Sequence, residues 1–510
     1  MSRWPNPLIP GFNPDPSVVL VDGVFYLVTS TFEYLPGIPV YRSTDLSEWT
    51  QIGNVVTRPE QVDLSDVPTR GGVWAPTIRY RDGIFYVIVT VAMSPRGCVV
   101  FTASDPAGPW SEGATIAGVG GIDPDLAWDN DGTAYVTFSG LFTNDPETAL
   151  AGHQGILQAR VDLAGGKALE QPRSLWSGSG LMFPEAPHLY RRGDDWYLMI
   201  AEGGTERGHA VSVARGKSPA GPFEGDPANP ILSARSTSRP IQNTGHADLV
   251  DTPDGGSVLV LLGVRPLGGT RAFSPLGRET FITPLSWVDG WPRPEPVELA
   301  PREGVEEETY QFSDSAVLED PGWLAVRAMP TSVATVVDGR LSITGQVGLD
   351  DPRPQFVGRR QRHLTATVST TVDASAGAGG LAFRYDEQSF VCLEARGTAV
   401  TAMAHVAGLS QSWQVTVPAG EVELRIEMAP PERGFSAQAV GGDRIRLIAG
   451  GTRLTELDGR YWTAETCASF TGRVIGLYAR EGTVTFRDYR YGGGDGPPVS
   501  EAPVEQEHLS

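Results

Sequence analysis

One pattern, written five times, limits what this chain can fold into. A short residue and a proline precede an apolar strand; a turn of Asp-Gly type follows, then an aromatic-rich strand. Asp15-Pro16 leads into Val18 to Val21, Asp22-Gly23 and Phe25 to Val28. Ala75-Pro76 leads into Ile78 to Tyr80, Asp82-Gly83 and Phe85 to Ile88. Asp123-Pro124 leads into Leu126 to Trp128, Asp131-Gly132 and Ala134 to Val136. Ala186-Pro187 leads into His188 to Tyr190, Gly193 to Asp195 and Trp196 to Leu198. The fifth copy, Gly245-His246-Ala247, lacks the proline but continues through Asp248 to Val250, Asp254-Gly255 and Val258 to Val260. Asp-Gly between apolar runs is a hairpin signal. Copies spaced by roughly 50 to 60 residues match the blades of a propeller, and a β-sandwich array fits the repeat less well. The expected fold class is all-β: a five-bladed β-propeller followed by a C-terminal β-sandwich.

The propeller is assigned to residues 1–300 and a proline- and glutamate-rich linker to 301–312. After it the blade repeat stops. Leu341 to Thr344, Thr365 to Val372, Gly380 to Tyr385, Phe390 to Glu394, Val422 to Met428 and Val474 to Ala479 alternate as sandwich strands, giving a domain over 313–492. Residues 493–510, rich in Gly, Pro and Glu, are read as a disordered tail.

A formal net charge of -21 makes nucleic acid and anionic membrane surfaces poor partners and leaves a small neutral ligand easier to accept. Cys98, Cys392 and Cys467 form neither a disulfide framework nor a zinc spacing. Met1 to Pro5 carries no apolar signal segment, and no stretch is long enough to span a bilayer. A cytoplasmic protein is expected; homo-oligomerisation stays open.

The first strand of each blade lines the central channel, so the five repeat starts meet near one mouth. Asp15 and Asp123 open two of them, and Glu185 precedes a third. Pro14 and Pro16 flank Asp15 and are expected to hold it extended, aiming its carboxylate from the start of a strand. Acids gathered on one axis raise one another's pKa, an arrangement glycoside hydrolysis requires: one base to activate water and one protonated acid for the leaving oxygen.

Asn13-Pro14-Asp15-Pro16-Ser17, Val73-Trp74-Ala75-Pro76, Gly121-Ile122-Asp123-Pro124, Pro184-Glu185-Ala186-Pro187-His188, Thr244-Gly245-His246-Ala247 and Gly277-Arg278-Glu279-Thr280 fall one or more to a blade. In that order they resemble glycoside hydrolase family 43, in its β-xylosidase and α-L-arabinofuranosidase branch. Phe356 to Gln361 and Phe470-Thr471-Gly472 resemble the sandwich appended to many members. The resemblance implies an inverting exo-glycosidase releasing terminal β-D-xylose from short oligosaccharides, or α-L-arabinofuranose as the alternative. It implies Asp15 as general base, Glu185 as general acid, and Asp123 ionised beside Glu185, keeping that acid protonated and orienting it. Trp74 and Phe32 would form the sugar platform and Arg278 would face the carboxylates and hydroxyls. Ala75 and Thr205 would touch the sugar, and Phe470 would close the pocket from the second domain. No cofactor is required; His246 would hold a water or a bound ion such as calcium.

Ala186 stands where many β-xylosidases of the family carry Gly, which leaves the choice of pentose open. Asp125, Glu202 and Glu206 are weighed as decoys of the acids, Asp125 as a surface residue, and Asp129 to Gly132 as a hairpin turn rather than a calcium loop. Two rival readings remain. One is a non-catalytic carbohydrate-binding or scaffold propeller. The other is a retaining furanosidase, whose Asn-Asp-Pro and Glu-Cys signatures Asn13-Pro14-Asp15 and Glu185-Ala186 do not match.

Overall fold

Each sequence repeat folds as one antiparallel sheet made from a consecutive stretch of chain. The computed structural model describes residues 4–140, 155–270, 272–431 and 440–495. Blade 1 is built from Ser17–Val21, Val24–Val28, Gly37–Ser43 and Thr50–Val56, in that order. The later blades open with Gly72–Arg81, Ile122–Trp128, Glu185–Arg192 and Gln242–Asp251. Asp22 and Gly23, like Asp82 and Gly83, both take positive φ, the two-residue turn that matches strand twist. The opening strand of blade 1 touches those of blades 2 and 5, which closes the ring.

Closure is chemical as well as steric. Beneath the mouth the opening strands contribute a buried polar layer: Ser17, Arg79, Asp125, His188 and Asp248. Arg79 forms ion pairs with Asp125 at 2.6 Å and with Asp248 at 3.1 Å, and donates to His188 Nδ1 at 3.1 Å. The Ser17 hydroxyl and the Val18 N–H donate to Asp248 at 2.6 and 2.9 Å, sealing blade 1 to blade 5. Burial pushes Asp248 up, but Arg79, His188 and the Ser17 and Tyr190 hydroxyls outweigh it and hold its carboxyl below the ordinary range. Asp125 therefore is no surface residue: it is fully buried and belongs to this layer.

The second domain is a two-sheet sandwich whose sheets share one strand. Thr365–Asp386 pairs with Val422–Ala429 over its first part and with Ser389–Arg396 over its last, turning between sheets at bulges after Asp373 and Ala378. The stretches read separately as 365–372 and 380–385 are thus one strand. Two expected boundaries shift. Glu306–Gln311, placed in the linker, pairs with Asp488–Gly494, because its alternating Glu-Thr-Tyr pattern presents Tyr310 to the sandwich core. Gly493 and Gly494 belong to that last strand, and 496–510, the rest of the expected tail, lies outside the described residues.

The two domains share hydrogen bonds. Tyr34–Leu35 of the propeller pairs with Leu324–Val326 of the sandwich sheet. Arg70 donates to the Cys467 carbonyl at 2.8 Å, and the Tyr385 hydroxyl donates to the Pro275 carbonyl at 2.7 Å. A Cβ on Gly472 would stand 2.1 Å from the Leu276 carbonyl oxygen, so backbones of the two domains meet there without room for a side chain. This contact fixes Phe470 relative to the channel mouth.

Replacing Arg79 with Met would leave the Asp125 and Asp248 carboxylates buried without their counter-charge. A loss of about 3–5 kcal/mol in urea unfolding at neutral pH is expected; a loss below about 1 kcal/mol, the scale of a surface pair, would mean the layer does not hold the ring.

Candidate active site

At every blade start one residue sits in the left-handed region: Asp15 (φ 57°), Ala75 (46°), Asp123 (52°), Ala186 (49°) and His246 (49°). In blades 2 to 5 the strand pairing slips there, after Trp74, Ile122, Glu185 and Gln242. Such a bulge re-aims a side chain that the pleat would point to one face of the sheet. Asp15 is therefore not extended, although Pro16 follows it. Neighbouring bonds impose the turn: Asn13 N–H donates to the Arg278 carbonyl at 3.0 Å, Ser30 N–H to the Pro14 carbonyl at 3.1 Å, and the Thr280 hydroxyl to the Asn13 carbonyl at 2.6 Å. Ala186, at φ 49°, occupies a conformation that glycine adopts without strain.

These bulges open on one cavity of about 220 Å³. Its wall includes all ten residues singled out in the sequence: Asp15, Phe32, Trp74, Ala75, Asp123, Glu185, Thr205, His246, Arg278 and Phe470. Ile122, Phe183, Gly204, Glu206 and His209 complete it. The volume is below the roughly 300–1,000 Å³ of sites for drug-sized ligands and suits a single sugar ring.

Asp15 is gripped on both oxygens. Ser30 donates to Oδ2 at 2.6 Å and Arg278 to Oδ1 at 3.1 Å. Ser30 Oγ also accepts the Ala75 N–H at 2.7 Å, so one hydroxyl ties the second blade's start to the first blade's acid. No motif marks Ser30, and only the fold reveals it. Arg278 donates further to Thr205 Oγ1 at 3.1 Å, and its guanidinium lies 5.6 and 5.3 Å from the ring centres of Phe32 and Phe470. Phe470 stacks on Phe32 at 5.7 Å and meets Trp74 edge-on at 5.4 Å, so the sandwich supplies one wall of an aromatic box.

Asp123 Oδ2 accepts the Ala186 N–H at 3.1 Å. Burial, then the charges of Glu185 and Asp15, push its pKa well above the ordinary carboxylate range. The sequence leads one to expect Asp123 ionised; burial and the neighbouring charges of Glu185 and Asp15 shift it instead towards its neutral form. Burial lowers His246 to about 3, so its Nδ1, 3.5 Å from Asp15 Oδ1, belongs to a neutral ring. His209 is likewise lowered by burial, and its Nδ1 lies 2.9 Å from the Asn243 carbonyl. Gly245 makes room for it: a Cβ there would stand 2.6 Å from the ring. His209 carried no sequence signal beyond its type.

Of the decoys, Glu202 is buried and takes two hydrogen bonds from Ser179, a structural role. Glu206 lies on the cavity wall. Among the described residues no group of three or more His, Cys, Asp or Glu side chains is arranged to hold a metal ion. Calcium, which takes six to eight oxygens, would meet at His246 a ring nitrogen and the Arg278 cation beside Asp15.

Comparisons with known proteins agree with this geometry. The sequence model described as glycosyl hydrolases family 43 matches residues 4–292, and that of the beta xylosidase C-terminal concanavalin A-like domain matches 311–489. A non-reducing end alpha-L-arabinofuranosidase of Bacteroides ovatus is 36% identical over 93% of this chain and 90% of its own length. A xylosidase/arabinosidase of Butyrivibrio fibrisolvens is 40% identical over 62% of this chain and 61% of its own. Among solved structures, a xylan beta-1,4-xylosidase from Bacillus halodurans superposes with a TM-score of 0.84 at 27% identity, covering 96% of this chain and all of that one.

The raised pKa of Asp123 has a stability consequence. Its neutral form is favoured by the fold, so stability falls as pH rises through the raised pKa. Asp123→Asn removes that penalty. The variant should melt above wild type at pH 7–8, with the gap closing near pH 4, where an unfolded Asp also protonates. Thermal melts across pH check this; a variant less stable than wild type at pH 8 would contradict it.

Proposed function

The chain belongs to glycosyl hydrolase family 43, and from that premise we propose that it is an inverting exo-glycosidase that removes terminal β-D-xylose from xylo-oligosaccharides. The observation that supports this best is the meeting of Asp15, Asp123 and Glu185 around a one-sugar cavity walled by Phe470 of the second domain. A cavity closed in this way accepts a chain end and excludes a chain middle.

In the proposed reaction Asp15 takes a proton from a water as the water oxygen attacks the anomeric carbon. Glu185 gives its proton to the glycosidic oxygen as the old C–O bond breaks, so the leaving group departs as an alcohol. Inversion requires the two carboxyls to stand roughly 6.5–9.5 Å apart, with the water between base and sugar. Arg278 and Ser30 fix the direction of the Asp15 carboxylate. Asp123, protonated or sharing a proton within the acid cluster, keeps a proton available beside Glu185 and, through the Ala186 N–H, sets the backbone that carries it. Trp74, Phe32 and Phe470 offer apolar faces to the sugar's C–H surface and hold bulk water away.

A second reading, α-L-arabinofuranosidase, is favoured by the Bacteroides ovatus relative, which covers nearly the whole chain. The ratio of kcat/KM on p-nitrophenyl β-D-xyloside and p-nitrophenyl α-L-arabinofuranoside separates the two. Turnover of neither by folded protein would sink both.

The roles are separable by leaving group. Asp15→Ala should lower kcat about 10²–10⁴-fold on every substrate, the range for a lost general base. Glu185→Ala should do so on xylobiose but much less on the p-nitrophenyl glycoside, whose phenolate leaves without a proton. Equal losses on both substrates for Glu185→Ala would contradict its role as acid.

A further inference from the structure

A second cavity, of about 490 Å³, lies where the N-terminal segment and the outer edge of blade 1 face the sandwich. Its wall includes Trp49, Thr50, Tyr310 and four arginines, and also four carboxylates, of which Asp320, Glu306 and Glu308 are paired with arginines and Glu48 is at the exposed rim. Its cations are unequal. Arg359 is paired with Asp320 at 2.7 Å, and Arg362 with Glu308 at 2.9 Å and Glu306 at 3.2 Å. Arg360 and Arg302 have no carboxylate among the described residues.

Arg360 is the telling one. It is 8% exposed, its Nε donates to the Phe12 carbonyl at 2.8 Å, and its guanidinium stacks on the Phe12 ring at 4.6 Å. Its second terminal nitrogen is buried with no hydrogen-bond partner. An arginine stays charged in a protein, and a buried charge calls for a counter-charge. Arg302 spends its donors on the carbonyls of Pro7, Leu8 and Ser47, which fix its position but leave its charge unmatched. Burial above all, and then the charge of neighbouring Arg359, push the Arg360 pKa down. Two guanidinium groups that have no carboxylate partner among the described residues, with the rings of Trp49 and Tyr310, line one cavity, a setting that suits a flat anionic group beside an apolar face.

We propose that this interdomain cavity binds a small oxyanion through Arg360 and Arg302, the chemistry of a sugar carboxylate or of a phosphate. The site is separate from the catalytic cavity: none of its lining residues is shared with it. The proposal therefore stands apart from the hydrolase reading. Because the site is lined by both domains, occupancy should tie them together.

The test is titration calorimetry with thermal melts on the full chain, using D-glucuronate, inorganic phosphate and neutral D-glucose at low ionic strength. The expected result is saturable binding of at least one anion, a rise in melting temperature with its concentration, no response to glucose, and weakening by added salt. Glucuronate binding at least tenfold tighter than phosphate would assign the site to an acidic sugar; the reverse order would assign it to phosphate. Arg360→Gln should abolish binding. Thr50→Glu adds a carboxylate at the exposed rim without touching the core, and should weaken binding at least tenfold in a protein that folds as wild type does. No saturable binding of either anion to wild type, or binding unchanged in both variants, overturns the proposal.

Discussion

The left-handed residue at the head of each blade is the constraint from which the rest follows. A regular strand would alternate its side chains between the two faces of the blade and direct none squarely at the axis. One left-handed residue per blade, with a bulge beside it in blades 2 to 5, breaks the alternation where the strand reaches the channel mouth. For non-glycine residues this costs about 1–2 kcal/mol each, so the five together approach the whole net stability of an ordinary domain. The hydrogen bonds around Asp15 and the Ala186 N–H to Asp123 bond show how the turn is imposed. The strain is concentrated where carboxylates must converge.

Two layers along the axis then divide the electrostatic work. The lower one is compensated: Arg79 stands between Asp125 and Asp248, the Ser17 and Tyr190 hydroxyls donate to Asp248, and the Leu189 N–H donates to Asp125. In the upper one Arg278 bonds to Asp15, while burial and the charges of Glu185 and Asp15 push Asp123 towards its neutral form. The sandwich enters this arrangement through Phe470, whose ring covers the Arg278 guanidinium and whose carbonyl accepts from it at 3.4 Å.

Much of this was written in the chain. Period-two strands separated by Asp-Gly turns gave the blades, because turn chemistry is local. The acids at the repeat starts followed from topology, because a propeller brings those starts together. What could not be read depends on contacts distant in sequence. Asp15 looked extended because the local effect of Pro16 says so; bonds from Arg278 and Thr280, over 260 residues away, decide otherwise. Asp125 looked exposed because its partner Arg79 lies on another blade. The protonation of Asp123 depends on distances to Glu185 and Asp15 that no spacing reveals, and Ser30 and His209 have no motif at all. Glu306–Gln311 read as linker because its glutamates hide the alternation that places Tyr310 on the core.

The central claim is that the bulges set Asp15 and Glu185 on opposite sides of one sugar, with a water held beside Asp15. Proton NMR of the first sugar released from a β-xyloside, recorded before mutarotation, reads this directly. The arrangement described here produces α-xylose first. Initial release of β-xylose would mean that a carboxylate, not water, attacks the anomeric carbon, and the account of the site would be wrong.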